Sequence, residues 1–149
     1  MKHFKTVTAT LALVMMIGLT GCKNDPVKNV SYKTDDYVIE HYTQGLEGVK
    51  SNEYETIVYT LKYFDLGPHE ATFRGIIYLE DEEARKLMEK YNWKEVQNTS
   101  FEFDEVDIGD AENKTWYRSN EFEKDTFKMI SVRYACFDGE KIIYSINQT

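Results

Sequence analysis

The chain is poor in cysteine and in basic residues, and each shortage excludes a class of protein. Its 149 residues contain two cysteines, Cys22 and Cys136, which are too few for a disulfide framework and do not form a C-x-x-C motif. Eighteen basic residues stand against 26 acidic ones. Because binding to a nucleic-acid backbone requires a positively charged surface, we expect no nucleic-acid partner.

Familiar catalytic motifs are also missing. The chain has neither a G-x-S-x-G motif nor a glycine-rich loop of the kind that holds phosphate. Enzymes that use carboxylates leave little local signature, so these absences do not exclude an enzyme. They do remove the strong reasons to propose one, and we expect no cofactor.

Long apolar runs are absent except for one at residues 9–19. A helix that spans a bilayer needs roughly twenty apolar residues, so this run of about a dozen is too short. Lys2 and Lys5 precede it. A positive start before a short apolar core is typical of a signal peptide for export.

This leader ends in Leu19, Thr20, Gly21 and Cys22. The four residues resemble the lipobox of bacterial lipoprotein precursors, and the resemblance covers residues 1–22. It implies that residues 1–21 are a signal peptide that is removed and that the sulfur of Cys22 carries a diacylglyceryl group. Two or more acyl chains anchor a protein stably. The resemblance therefore implies a lipid-anchored protein on the extracytoplasmic face of a bacterial cell membrane.

The part after the leader is more acidic than the whole chain. Cleavage before Cys22 removes two lysines and no acidic residue, so the formal charge changes from −8 to −10. Anionic headgroups repel such a chain, so its adhesion depends on the acyl chains. Residues 22–34 are polar, contain Pro26 and lack sustained periodicity, which predicts a lipidated N-terminus and spacer. Residues 35–149 suit a single domain.

Alternating apolar and polar residues predict strands over residues 55–64 and 71–79. Gly67 and Pro68 lie between them and mark a turn, so an antiparallel hairpin is the simplest connection. In the second strand, five residues are expected to share one face: Ala71, Phe73, Gly75, Ile77 and Leu79.

A helix is predicted over about 81–91. Its apolar residues Ala84, Leu87, Met88 and Tyr91 have helical spacing, its acidic residues lie near the start, and Asp81 is the expected N-cap. Residues 35–43, which come before the first predicted strand, fit either a strand or a helix.

The C-terminal third indicates more strands. Phe101 and Phe103 alternate with polar residues, and residues 130–146 predict a hairpin with a three-residue loop in which Gly139 is left-handed. In that register Tyr134 faces Ile142, and Cys136 is a half-buried strand residue. The fold class predicted from these patterns is α+β, with an antiparallel sheet of about five strands and one main helix (about 81–91) packed on one face.

An acidic segment invites a metal site. Five carboxylates occur within residues 104–112, and oxygen-rich loops bind Ca²⁺. Gly109 follows Ile108 rather than an acidic residue, however, so the spacing differs from that of an EF-hand loop. We therefore predict a solvated acidic loop and no metal.

Two histidines follow the leader, His41 and His69. Neither belongs to an i, i+4 pair or neighbours a cysteine, so a zinc site would need carboxylates as further ligands. His69 with Glu70 could perform acid–base chemistry in a cleft. A small carboxylate- or histidine-based enzyme is therefore one alternative function.

Aromatic residues are numerous, and most of them fit core positions. Trp116 and Tyr117 follow the acidic segment, and we expect this pair to be partly exposed and to contact a partner. The favoured hypothesis is a lipid-anchored extracytoplasmic binding module for a protein, peptide or glycan. A further alternative is an inhibitor or protective protein that acts on another exported protein through loop 104–115.

Overall fold

The computed structural model describes residues 25–62, 67 and 69–148. Within these residues, seven strands form one sheet of order β1-β2-β3-β7-β6-β5-β4, in which all neighbouring strands are antiparallel. The strands are β1 Pro26–Lys33, β2 Val49–Leu61, β3 Ala71–Leu79, β4 Lys94–Val96, β5 Trp116–Arg118, β6 Ser131–Phe137 and β7 Lys141–Gln148. The helices are α1 Tyr37–Tyr42, α2 Asp81–Lys90 and α3 Asn120–Thr126, with one 3₁₀ turn at Ala111–Asn113.

The predicted antiparallel sheet and its main helix are confirmed, but the predicted number of strands, about five, is too low. Strands β4 and β5 have three residues each, which is too short for alternation to be recognised. Strand β1 lies in the segment predicted to be a spacer, residues 22–34. That prediction was wrong for Pro26–Lys33, which pairs with β2 over its whole length.

The sequence pattern did not predict strand β1, because β1 is an edge strand. All of its residues except Val30 are exposed, so it has no apolar alternation. Backbone hydrogen bonds to β2 fix its position in the sheet. The sheet consequently begins at Pro26, nine residues before the predicted start of the domain.

The predicted hairpin of β2 and β3 is confirmed, although β2 begins earlier than expected. Tyr59 and Leu61 alternate with the buried Ile57 in β2 but are themselves 55% and 44% exposed. Gly75 has a steric role, since a Cβ atom there would lie 2.4 Å from the carbonyl oxygen of Glu53 and 2.7 Å from the hydroxyl of Tyr144.

All three helices contribute to a hydrophobic core on one side of the sheet, which we call the helical face. The predicted face of β3 belongs to it, through Ala71, Phe73, Ile77 and Leu79. The helices contribute Val38, Tyr42, Ala84, Leu87 and Phe122 to the same core. In α2, Met88 is 41% exposed instead of buried, and the N-cap is Glu80 rather than Asp81.

The opposite side of the sheet is covered by residues 97–115, which we call the cover segment, and this side is the loop face. Phe101 and Phe103, predicted in a strand, lie in the cover segment and pack in a second apolar cluster. The sheet contributes Ile76, Cys136 and Ile143 to that cluster. Both faces of the central strands are therefore covered.

The last hairpin has the predicted left-handed glycine but another register. Gly139 has a φ of +98°, yet Phe137 pairs with Ile142 and Tyr134 with Ser145. The carboxylate of Asp138 accepts hydrogen bonds from the backbone N–H groups of Glu140 and Lys141, which gives a loop longer by one residue. Because this register shift is odd, Tyr134 and Cys136 lie on the loop face rather than with Ile142.

Candidate functional site

The aromatic pair predicted to contact a partner is less accessible than expected. Trp116 is fully buried, and its indole N–H donates to the carbonyl of Ala111 at 2.6 Å, so the prediction that it is partly exposed was wrong. The side chain of Tyr117 is half-buried in β5. Trp116 therefore belongs to the core of the loop face, where the acidic segment wraps around it. Cys22, the predicted lipidation site, lies outside the described residues.

Cys136 lacks the environment of a reactive thiol, and within the described part of the chain neither histidine belongs to a group of metal ligands. Cys136 is fully buried, not half-buried, and burial raises the pKa of its thiol to about 11, so it stays protonated at neutral pH. His41 stacks on Tyr37 and hydrogen-bonds its carbonyl oxygen at 2.9 Å, while His69 is exposed just before β3. Among residues 25–62, 67 and 69–148, no three His, Cys, Asp or Glu side chains are grouped as metal ligands.

A buried carboxylate holds the cover segment on the loop face. Glu55 in β2 is fully buried and accepts hydrogen bonds from Arg74 Nε at 2.8 Å and from three consecutive backbone N–H groups. These donors belong to Asp104, Glu105 and Val106, at 2.9, 2.7 and 3.4 Å. A buried charge is tolerated only when it is paired and hydrogen-bonded, and Glu55 satisfies both conditions.

A second ion pair continues this arrangement toward the solvent. Arg74 Nη2 also donates to the carboxylate of Asp104 at 2.6 Å, and Asp104 pairs with Lys28 of β1. The hydrogen bond from Lys28 lowers the pKa of Asp104, and the charge of Arg74 acts in the same direction. Two positive and two negative groups thus alternate from β1 to β3, and their charges balance.

Beside Arg74 the loop face contains a cavity of about 230 Å³. We call it the Arg74 cavity; its lining residues are Arg74, Ser100, Glu102, Arg133, Tyr134 and Ser145. Strands β3, β7 and β6 place Arg74, Ser145 and Tyr134 side by side, because Arg74 pairs with Ser145 and Ser145 with Tyr134. The bulge between Val132 and Tyr134 positions Arg133 at the rim.

Several hydrogen-bond donors of the Arg74 cavity have no partner within the described residues. The hydroxyl of Ser145 is buried and makes no hydrogen bond. Within the described residues, no hydrogen bond has the hydroxyl of Tyr134, the guanidinium of Arg133 or Arg74 Nη1 as its donor. Burial raises the pKa of Tyr134 to about 12, although the nearby charges of Arg74 and Arg133 lower it, so this hydroxyl remains a donor at neutral pH.

Larger hollows lie on the two sides of β4, with volumes of about 530 and 550 Å³. Most of their lining side chains are exposed, and the buried residue among them, Ser119, already accepts a hydrogen bond from the N–H of Phe122. Buried polar groups in proteins are nearly always paired, so an unpaired one marks a candidate site. The Arg74 cavity is therefore the stronger candidate.

Sequence reasoning did not find this cavity. The predicted face of β3 left Arg74 on the correct side of the sheet, but the register error placed Tyr134 on the opposite side. Arg133 carried no signal of its own, because one exposed arginine in a strand is unremarkable. The arginine at the centre of a strand otherwise rich in apolar residues, ATFRGIIYL, was the available signal.

Comparison with protein-family models, curated proteins and solved structures found no match to this chain. Among the described residues, no helix has both the length and the apolar character needed to cross a membrane.

Proposed function

We propose that this chain is a lipid-anchored binding module on the extracytoplasmic face of a bacterial cell membrane and that the Arg74 cavity is its ligand site. The location is supported by the lipobox resemblance of Leu19, Thr20, Gly21 and Cys22. The observation that carries the binding role is the cavity itself, in which a buried hydroxyl and further donors lack protein partners.

The short distance from the lipidated residue to the sheet defines how such a module is held. Three residues lie between Cys22 and Pro26, the first residue of β1, and the four residue steps from Cys22 to Pro26 span at most about 14 Å when fully extended. A lipid at Cys22 therefore tethers the domain closely, with the end of the sheet where Pro26 pairs with Leu61 toward the bilayer.

The Arg74 cavity lies further along the sheet, at a distance from the end that faces the bilayer. Arg74 pairs with Glu55, which is six residues from Leu61 in β2, or about 20 Å along the strand. In this orientation the loop face extends away from the membrane and the cavity is open to the extracytoplasmic space. A close tether thus still leaves the site accessible to a ligand.

Two measurements in the native host test the two parts of the proposal. Intact-mass analysis should show removal of residues 1–21 and a diacylglyceryl group on Cys22, and Cys22→Ser should abolish both. An uncut precursor, or an unmodified thiol at Cys22, would contradict the anchoring.

The binding role is tested by photo-crosslinking at the cavity. A photoreactive residue at Glu102 should capture a ligand or partner that the same residue at Arg85, on the exposed side of α2, does not capture. Equal capture at the two positions would contradict the assignment of the site. The anchoring result is independent of this one.

A further inference from the structure

The chemistry of the Arg74 cavity narrows the class of its ligand. We propose, on the basis of the function proposed above, that the cavity binds the carboxylate of a small zwitterion, such as a free amino acid, and that Glu102 receives the cationic group of the same molecule.

The unpartnered groups of the cavity are mainly donors. Arg74 Nη1, the guanidinium of Arg133 and the hydroxyl groups of Tyr134 and Ser145 line one small space, and no hydrogen bond within the described residues uses any of them as donor. An acceptor with several lone pairs satisfies such a set best, and a carboxylate supplies two oxygens for bidentate binding by a guanidinium. The ligand group is therefore expected to be an oxyanion.

The charges around the cavity favour a single negative charge over a double one. The charge of Arg74 is already balanced by Glu55, and Asp104 is balanced by Lys28. Arg133 makes no ion pair within the described residues, so it is the one cationic group there that a ligand can neutralise. A phosphate dianion would bring a second charge close to Glu55 and Asp104, whereas a carboxylate would not.

Glu102 provides the second recognition element. Its side chain is exposed at the rim, and it forms no ion pair within residues 25–62, 67 and 69–148. An ammonium group on the ligand would pair with Glu102 while the carboxylate contacts Arg133 and Tyr134. One cationic and one anionic side chain that line the same small cavity thus match a zwitterion.

The size of the cavity sets the size of the ligand. A volume of about 230 Å³ equals that of roughly seven or eight water molecules, and it is below the range of roughly 300–1,000 Å³ typical of drug-sized ligands. The cavity therefore accommodates a molecule of few atoms rather than a folded partner or a long glycan.

The test is a titration of the full chain in detergent, followed by the backbone NMR signals of Tyr134 and Ser145. Free glycine, which carries both charged groups, should give saturable shifts at these signals at millimolar concentration. Acetate, which lacks the ammonium group, should bind more weakly, and methylammonium and inorganic phosphate should bind more weakly still.

Variants assign the two charged groups. Arg133→Gln should weaken glycine binding by about tenfold or more, as expected for the loss of a charged hydrogen bond. Glu102→Gln should lower the affinity for glycine to that for acetate and leave acetate binding unchanged or improved. Arg85→Gln, which removes the same charge from the exposed side of α2, should have no effect.

Three results would overturn the inference. They are the absence of saturable shifts with glycine and acetate, equal binding by the wild type and Arg133→Gln, and tighter binding of phosphate than of glycine. The spectra also report folding, so an unfolded variant is recognised, and Arg133 and Glu102 are exposed enough for their substitution to leave the fold intact. Failure here together with selective crosslinking at Glu102 would reject the ligand class and retain the proposed site.

Discussion

The two faces of the sheet are held by different forces. On the helical face, side chains from three helices and four strands form one apolar core, and its buried tyrosine hydroxyl groups are paired, as in the bond from Tyr144 to Asn52. On the loop face the apolar cluster is smaller, and an ion pair between Glu55 and Arg74 holds the cover segment by its backbone. Each face has a buried hydroxyl without a hydrogen-bond partner in the described residues, that of Thr56 on the helical face and that of Ser145 on the loop face. Of these two, the hydroxyl of Ser145 lines a cavity together with further donors.

The largest effect is expected from Trp116→Ala. Trp116 is fully buried at the centre of the loop-face cluster, so its removal leaves a large void and should lower the free energy of unfolding by about 3–5 kcal/mol. Denaturant unfolding measures this loss. Tyr117→Ala, at the half-buried neighbour, should cost clearly less, and a stable Trp116→Ala protein would contradict the assignment of Trp116 to the core.

Glu55→Gln should destabilise the packing of the cover segment on the loop face and leave the helical face unaffected. The substitution replaces the fully buried counter-charge of Arg74 by a neutral amide and leaves the partly exposed Asp104 as its remaining anionic partner. The expected loss in the free energy of unfolding is about 3 kcal/mol. Hydrogen exchange at the amides of Glu105 and Val106 should accelerate, while amides of the helical face keep their protection relative to global unfolding.

Glu53→Gln is the matched control for this change. Glu53 lies on the same strand and face, and its two carboxylate oxygens accept hydrogen bonds from the hydroxyl groups of Tyr32 and Tyr78. In Glu53→Gln the amide oxygen can accept one of these bonds, and the amide NH₂ can donate to the oxygen of the other hydroxyl. Its effect should stay below about 1 kcal/mol. Equal losses for Glu55→Gln and Glu53→Gln would remove the special role given to Glu55.

Ser145→Ala should have a smaller effect of opposite sign. The hydroxyl of Ser145 is buried without a partner, so its deletion relieves a desolvation cost and should raise the free energy of unfolding by about 1 kcal/mol. Thr72→Val is the control, because the hydroxyl of Thr72 donates to Asn147 Oδ1 at 2.9 Å and its loss should destabilise. A destabilised Ser145→Ala protein would show that this hydroxyl is already satisfied.

The smallest effect concerns the ion pair at the outer end of the network. The pKa of Asp104 is lowered mainly by Lys28, so this pair stabilises the fold above the ordinary aspartate range and the stabilisation disappears as pH falls below about 4. Both side chains are more than a third exposed, which limits the contribution to less than about 1 kcal/mol.

Lys28→Met therefore should lower stability slightly at pH 7 and not at all at pH 2, when thermal unfolding is compared at the two pH values. The control Lys124→Met removes an exposed lysine of α3 that forms no ion pair within the described residues, and it should not reproduce this pH dependence. A pH-independent difference for Lys28→Met would contradict the role of the pair.

The sequence predicted the helical face better than the loop face, for physical reasons. The alternation in β3 and the helical spacing of Ala84 and Leu87 report burial against an apolar core, which is local information. Strand β1 is fixed by backbone hydrogen bonds to β2, and the cover segment is fixed by Glu55, a residue about fifty positions earlier in the chain. Neither contact leaves a periodic pattern.

The sequence did not predict the candidate site, for a related reason. The register of β6 and β7 depends on two hydrogen bonds to the carboxylate of Asp138, which apolar matching does not anticipate. That single feature moves Tyr134 to the loop face and completes the cavity around Arg74 and Ser145. Trp116 was misjudged because polar neighbours in sequence suggested exposure, whereas the cover segment folds over it.

The most direct measurement of the binding role of the loop face is a crystal structure of the full chain grown with free glycine. We expect a carboxylate in the Arg74 cavity within hydrogen-bond distance of the Arg133 guanidinium and the Tyr134 hydroxyl, with an ammonium group beside Glu102. A cavity closed by an ion pair between Glu102 and Arg133, with no bound molecule, would contradict it.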